Sequence, residues 1–249
     1  MIDEQLLRYS RQIMLPDMDI AGQQKLVDAN VLIVGMGGLG CPVGMYLAAA
    51  GVGHLILADD DTVEITNLQR QIAHSQADIG SSKVESVAET LKGLNPKVRI
   101  TAMNQRLEEK DLDNQMSTVD VVVDASDNFT TRFAINRACS KTKTPLVSGA
   151  AIRMEGQVTV FDPRDAQSPC YQCLYKEGDD ESASCSANGV LAPIVGIIGS
   201  VQALETIKVI TGIGKPLTGR LLLLDGKTMQ WREMKLPRDE NCPVCSFSK

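Results

Sequence analysis

Histidine is nearly missing from this chain: 249 residues include only His54 and His74. A zinc hydrolase built on imidazole ligands is therefore poorly supplied. Counting alone does not exclude a Ser-His-Asp triad, but no GxSxG elbow occurs. Aromatic residues are 4% of the composition, and 25 basic residues face 31 acidic ones, for a net charge of −6. That balance argues against broad binding to nucleic acid or to an anionic membrane. No GxxxxGK[ST] phosphate loop is present. The opening Met1-Ile2-Asp3-Glu4 is acidic and no apolar stretch follows, so no signal peptide is expected. The most apolar segment, 190–204, is short for a membrane span and carries Pro193, Ser200 and Gln202; it reads as a buried helix. Seven cysteines, an odd number, fit a reducing compartment better than a disulfide scaffold, and a cytoplasmic location is expected.

What remains is an ordinary globular composition, 43% hydrophobic and 22% charged, long enough to bury a sizeable core. Residues 1–29 read as an amphipathic helical arm in which Leu6, Leu7, Ile13 and Leu15 recur at roughly helical spacing. From residue 30 to 152 strands and helices alternate. Strands are expected at 31–34, 54–58, 98–102, 119–124 and 145–148, and helices at 41–50, 83–93, 107–116 and 130–141. Such alternation gives an α/β fold with a Rossmann-like, mostly parallel sheet and helices on both faces. From 153 to 249 the pattern changes. A strand at 157–161 lacks a following helix, a helix is expected at 193–211, and an antiparallel pair is expected at 221–224 and 229–236. Between them, 176–187 is a polar loop with four acidic residues, read as a crossover. The three segments are expected to form one continuous domain.

Gly35-Met36-Gly37-Gly38-Leu39-Gly40 fits GxGxxG, after a strand and before a helix. Missing β-carbons let backbone N–H groups approach a phosphate at a helix N-terminus. Asp59, closing the second strand, stands where such motifs place the acid that binds ribose hydroxyls. The plainer reading is a turn needed only for tight helix–sheet packing. The motif suggests NAD or FAD and does not distinguish them from ATP at a non-Walker site. Asn67-Leu68-Gln69-Arg70-Gln71 follows, then Lys83 at the next helix start and Asp127-Asn128 after the valine-rich strand. Topology gathers Gly38, Asp59, Asn67, Arg70, Lys83 and Asp127 at the C-terminal edge of the sheet, where open α/β sheets bind ligands. A dehydrogenase has little need for two cations and a carboxylate there. A nucleoside triphosphate has that need: Arg70 and Lys83 neutralise phosphate oxygens, and Asp127 holds Mg²⁺. Taken singly, each residue also fits a solvated surface ion pair.

Two CxxC pairs, Cys170–Cys173 and Cys242–Cys245, read as a tetrahedral zinc site that staples the C-terminal tail; the alternative is a redox pair. Cys185 lies in the polar crossover, either as a thiol that accepts an activated carboxylate or persulfide or as an incidental loop residue. Cys41 and Cys139, on expected helices among small or apolar neighbours, read as buried packing.

Taken together, Arg8-Tyr9-Ser10-Arg11-Gln12, the glycine loop, the run from Asp59 to Gln71, Lys83, Asp127-Asn128, Ser148-Gly149-Ala150-Ala151 and both CxxC pairs span nearly the whole chain. In this order the chain resembles the bacterial MoeB/ThiF family, activators of ubiquitin-like sulfur carriers and kin of the ubiquitin-activating enzymes. The resemblance implies ATP-dependent adenylation of the C-terminal glycine of a carrier ending in Gly-Gly. It implies that Gly38, Asp59, Asn67, Leu68, Gln69, Arg70, Lys83, Asp127 and Asn128 hold ATP and its magnesium. By the same likeness Arg11 reaches the triphosphate on the other subunit of a homodimer, and Cys170, Cys173, Cys242 and Cys245 hold a structural zinc. The run 148–157 (SGAAIRMEGQ) is similar to the molybdopterin branch, whose carrier is the small subunit of molybdopterin synthase. Ala58-Asp59-Asp60-Asp61 and 225–232 are more similar to the thiamine branch. The molybdopterin branch is favoured. An NAD- or FAD-dependent oxidoreductase and a non-catalytic nucleotide scaffold remain as alternatives.

Overall fold

The first strand, β1 (Asn30–Val34), sets the layering. Its alternate residues go to opposite faces: Val31 and Ile33 enter one hydrophobic layer, Leu32 and Val34 the other. A strand covered on both faces reads as an unbroken apolar run, as this one does. The computed structural model describes residues 2–177 and 188–246, and over these one eight-stranded sheet runs in the order β3-β2-β1-β4-β5-β6-β7-β8. Strands β2 (His54–Ala58), β3 (Arg99–Met103), β4 (Val121–Asp124) and β5 (Leu146–Ile152) form parallel ladders with β1 and with one another. The sheet continues antiparallel through β6 (Glu155–Phe161), β7 (Arg220–Asp225) and β8 (Gln230–Lys235). The expected mixed α/β fold is therefore present.

The chain steps outward from β1 to β2 and β3, then returns to place β4 on the other side of β1. Connections on opposite sides of that point leave a crevice between the ends of β1 and β4, where Ala125 N donates to Val34 O at 2.9 Å. Helices α4 (Gly40–Ala50) and α5 (Lys83–Leu94) cover the face that receives Val31 and Ile33. Helices α6 (Glu109–Met116), α7 (Phe129–Thr142) and the single turn α8 (Tyr171–Leu174) cover the other.

The long helix α9 (Ala192–Thr211) lies on the α4 face. By length and composition it could cross a membrane, and half of its most apolar window is buried in the protein. Pro193 in its first turn costs no internal hydrogen bond, and Gly212 at φ +81° ends it. Its buried Gln202 donates through Nε2 to the carbonyls of Asp124 (2.7 Å) and Val147 (3.4 Å), bridging β4 and β5. This amide sits against Gly149, where a β-carbon would lie 2.3 Å from Gln202 Cδ.

Several bounds differ from expectation. The helix expected from 107 starts at Glu109, because Glu108 is its extended N-cap and buried Leu107 precedes the cap. Strand β5 runs four residues beyond Ser148, through Gly149-Ala150-Ala151-Ile152, a sequence with weak strand propensity that full pairing with β6 overrides. The arm comprises three helices, α1 (Asp3–Arg8), α2 (Ser10–Ile13) and α3 (Asp19–Asp28). Its expected apolar face is only partly covered: Leu6 and Ile13 are half-buried, while Leu7 is 78% and Leu15 55% exposed. The arm is anchored instead by buried Tyr9, whose hydroxyl accepts a hydrogen bond from Asn95 Nδ2 at 2.9 Å.

Gly149→Ala should lower unfolding stability by about 1–3 kcal/mol, because the added methyl overpacks a buried amide with no room to turn. A urea midpoint unchanged from wild type would show that α9 yields there.

Candidate active site

Strand β1 delivers the glycine loop to the crevice. Gly35 adopts φ +96°, and a β-carbon there would lie 2.6 Å from Ala125 O, so only glycine lets the loop pass the end of β4. Helix α4 begins at once, and its N-cap Leu39 supplies no side-chain acceptor. Its first N–H groups therefore favour an anion. These elements wall a cavity of about 130 Å³ lined by Gly37, Gly38, Asp59, Arg70, Lys83 and Asp127, among others.

Asp59 leaves β2 and uses each oxygen once on the backbone: Oδ2 accepts from Met36 N (2.6 Å) and Oδ1 from Asp61 N (2.9 Å). Burial raises its carboxyl above the ordinary range, against the attraction of Lys83 and those two N–H groups. Lys83 opens α5 and is 6% exposed, with Nζ 2.7 Å from Asp61 Oδ2. Arg70 lines the same cavity and donates from Nη1 to Thr66 O at 3.0 Å. Beside it, buried Gln71 has an Oε1 without a partner among the described residues, an acceptor left for a ligand or water.

A second, larger cavity of about 630 Å³ adjoins the first. Its floor is the antiparallel part of the sheet, with Gln157, Leu223 and Arg232, and its walls include Phe129 and Tyr175. Tyr175 is fixed by two hydrogen bonds to Gln157, at 2.6 and 3.0 Å, and packs edge-on against Phe129. The two cavities share Asp127, Arg132 and Ala151. Asp127 is exposed there, and Asn128 caps α7 by accepting from Thr131 N at 2.9 Å. Asp127 Oδ1 accepts from Asn128 Nδ2 at 3.4 Å, which leaves lone pairs for a magnesium ion that takes its remaining ligands from phosphate and water.

The structure thus brings Gly38, Asp59, Arg70, Lys83 and Asp127 together, with Asn128 in the adjoining cavity. Asn67, Leu68 and Gln69 are not on either wall. Asn67 instead builds the turn that carries Arg70: its side chain accepts from Glu64 N at 3.1 Å and its carbonyl from Arg70 N at 3.0 Å. Arg11 is exposed on α2 and lines a separate hollow with Tyr46 and Leu204. Cys185 lies outside the described residues. Cys41 and Cys139 are buried, and burial pushes the Cys41 thiol up to about 12. Asp61, Gln71, Ser126 and Arg132 were missed by the sequence reading. For Arg132 the available signal was its place one helical turn after the Asn128 cap.

The four paired cysteines converge as expected. Their sulfurs lie within 4.8 Å of one another, with 3.5 Å between Cys170 and Cys242, 3.5 Å between Cys173 and Cys245, and 3.9 Å between Cys170 and Cys173. A tetrahedral zinc with Zn–S bonds of about 2.3 Å needs sulfurs roughly 3.8 Å apart, so the set fits that ion. The backbone amides of Cys170 and Asp239 both donate to Cys173 Sγ at 3.4 Å, and Asn136 Nδ2 to Cys170 Sγ at 3.7 Å. The hydrogen bond from Cys170, and the amides, pull Cys173 down to about 5. Burial and the Cys173 thiolate push Cys245 up to about 12. One thiolate is favoured without a cation; four need one.

Comparison with known proteins agrees with this geometry. A family model described as the ThiF family matches residues 9–244. The chain is 49% identical over 243 residues to the molybdopterin-synthase adenylyltransferase of Escherichia coli K12, spanning 98% of this chain and 97% of that protein. It is 46% identical over 248 residues to the sulfur carrier protein ThiS adenylyltransferase of the same organism, covering 100% and 98%. Among solved structures, that of E. coli MccB with ATP superposes with a TM-score of 0.83 at 25% identity, covering 96% of this chain and 73% of that one.

Cys242→Ser should abolish stoichiometric metal content and lower Tm by about 5 °C or more, given that 1 kcal/mol moves a protein of this size by roughly 2–4 °C. Metal analysis and calorimetry of the same preparation check it; an unshifted Tm would count against a stapling role.

Proposed function

The chain belongs to the ThiF family, and on that premise we propose that it adenylates the C-terminal glycine of a ubiquitin-like sulfur carrier. The carrier is the small subunit of molybdopterin synthase, the substrate ATP, and the pathway molybdenum cofactor biosynthesis. The observation that carries this reading is the meeting of two cavities at Asp127 and Arg132, one shaped for phosphates and one open enough for a peptide tail. A glycine terminus is thin enough to reach the junction. The similarity to enzymes named for both carrier branches supports the reaction, and the higher identity supports the molybdopterin branch.

A peptide carboxylate is a poor electrophile. In the proposed step one of its oxygens attacks the α-phosphorus of ATP. The bond from that phosphorus to the bridging oxygen breaks, and pyrophosphate leaves with the electron pair. No proton has to move, which suits a site with no histidine on its walls. Asp59 accepts from the ribose hydroxyls on the lone pairs its backbone bonds leave open. Lys83 and Arg70 hold phosphate oxygens, and the α4 N-terminus adds backbone donors. Asp127 is the residue that would hold magnesium, which when bound neutralises charge on the phosphates. The four cysteines would hold zinc, which fastens the tail after β8 to the turn before α8.

We place Arg11 on the phosphates of the neighbouring protomer in a homodimer. The 450 Å³ hollow beside it and the exposure of Tyr46 (58%), Leu204 (53%) and Leu7 (78%) support a partner on this face. Segments 1–29, 30–152 and 153–249 are taken as one folding unit, because the sheet passes unbroken from the second to the third. Free, buried cysteines support a reducing, cytoplasmic setting.

Pyrophosphate exchange with Mg-ATP and each recombinant carrier tests the reading, and exchange with the thiamine carrier alone would name the other branch. Asp127→Ala should abolish exchange with Tm unchanged, since the side chain is exposed; wild-type rates would remove Asp127 from the site. Arg70→Ala should slow adenylation by about a hundredfold or more, the usual loss when a charge-stabilising donor is deleted. An undiminished rate in that variant argues against a phosphate contact.

A further inference from the structure

Arg132 is the fixed cation at the seam between the two cavities. Its Nη2 donates to Ser126 O at 2.7 Å and to Gly149 O at 3.4 Å. The Phe129 ring lies 6.0 Å from the guanidinium carbon. Nε stands 3.7 Å from Asp124 Oδ2, beyond hydrogen-bond range, and has no hydrogen-bond partner among the described residues. Most of the acceptor capacity of Asp124 is taken elsewhere. Its Oδ1 accepts from Ser126 N (3.1 Å) and Ser126 Oγ (2.6 Å), and its Oδ2 from Ser148 Oγ (3.0 Å).

This arrangement separates charge from hydrogen bonding. Asp124, 1% exposed, offsets the positive charge of Arg132 without consuming its hydrogens. The Tyr171 hydroxyl lies near the guanidinium and helps to hold it charged, and the hydrogen bonds to Ser126 and Gly149 both leave from Nη2 rather than Nη1. The arginine side chain keeps 12% exposure, while Nε is shut off from solvent, so the terminal Nη edge is what faces the cavities. With both Nη2 hydrogens spent on carbonyls, Nη1 is the donor that a planar, partly compensated guanidinium offers to a carboxylate oxygen.

We propose that Arg132 is the receptor for the terminal carboxylate of the carrier, held through Nη1 at the seam, with Asp124 as its positioning partner. This rests on the adenylation reading given above. One carboxylate oxygen stays on Arg132 while the other attacks phosphorus. In the resulting mixed anhydride the carbonyl oxygen remains on the same donor, which would polarise it for the sulfur nucleophile that follows.

The test compares two forms of the recombinant carrier, one with its native C-terminal carboxylate and one made by semisynthesis with a C-terminal amide. Binding to the intact enzyme is measured without ATP, so that no chemistry intervenes. Wild type should prefer the carboxylate at least about tenfold, as a charge-assisted hydrogen bond allows. Arg132→Gln should bind both forms equally, with KM for the carrier raised and KM for ATP within about twofold of wild type. Retained preference in this variant overturns the proposal. So does a rise in KM for ATP alone, which would assign Arg132 to the nucleotide. Because Nη2 also ties Ser126 to Gly149, Arg132→Lys is run in parallel as a variant that keeps the charge. It should lose most of the preference, since a single ammonium cannot hold the Ser126 and Gly149 carbonyls and still present a fixed donor to the carboxylate, and full preference there also overturns the proposal. If wild type exchanges pyrophosphate yet binds acid and amide alike, this assignment fails while the adenylation reading stands. If wild type neither binds nor activates any carrier, both fail.

Discussion

A single buried carboxylate fixes the geometry on which both cavities depend. Asp124 ends β4, is sealed from solvent, and takes hydrogen bonds from Ser126 and Ser148 while facing Arg132. Ionised groups are rarely left in an interior without partners, because the desolvation they suffer must be offset on every side. Here the partners lie on three elements: the turn after β4, strand β5 and helix α7. Gln202 of α9 holds the carbonyl of the same residue from the opposite face. The turn that presents Asp127 is thereby clamped from above, below and beside. Its position is set by buried polar bonds rather than by the exposed side chain itself.

The four-cysteine cluster acts on the second cavity through a chain of packed groups. Cys170 precedes α8, and Asn136 of α7 accepts from Tyr171 N at 2.8 Å while donating to Cys170 Sγ. Tyr171 packs edge-on against Phe133 and Phe161 and at a tilt against Tyr175. Tyr175 in turn stands in the cavity wall with Gln157. The clasp lies outside the groove, yet it orders one of the groove's walls. A distant metal site in a nucleotide-binding fold gains a physical reason from that connection.

Much of the site was legible because its chemistry sits at places the topology predicts. A glycine loop after β1, an acid ending β2, a lysine opening α5 and an acid after β4 all fall at strand ends facing one crevice. Asn67 builds the turn that carries Arg70, since polar residues in a turn satisfy the turn before they meet a ligand. Arg132, by contrast, was invisible. On sequence it is one more polar residue inside a helix, and only the depth at which α7 enters the seam makes it a wall of both cavities.

The sequence by itself determined the alternation of elements, the parallel core, the antiparallel extension and the pairing of two CxxC knuckles. Those features follow from local periodicity and spacing, which neighbouring residues encode directly. Only the tertiary structure decided which polar side chains face the crevice, and that Leu7 and Leu15 of the arm lie open. Burial and charge compensation are properties of what surrounds a residue. Asp124 and Arg132 lie eight positions apart in the chain, but their roles were set by Ser148, Gly149 and Gln202, which reach them only when the sheet and α9 have closed.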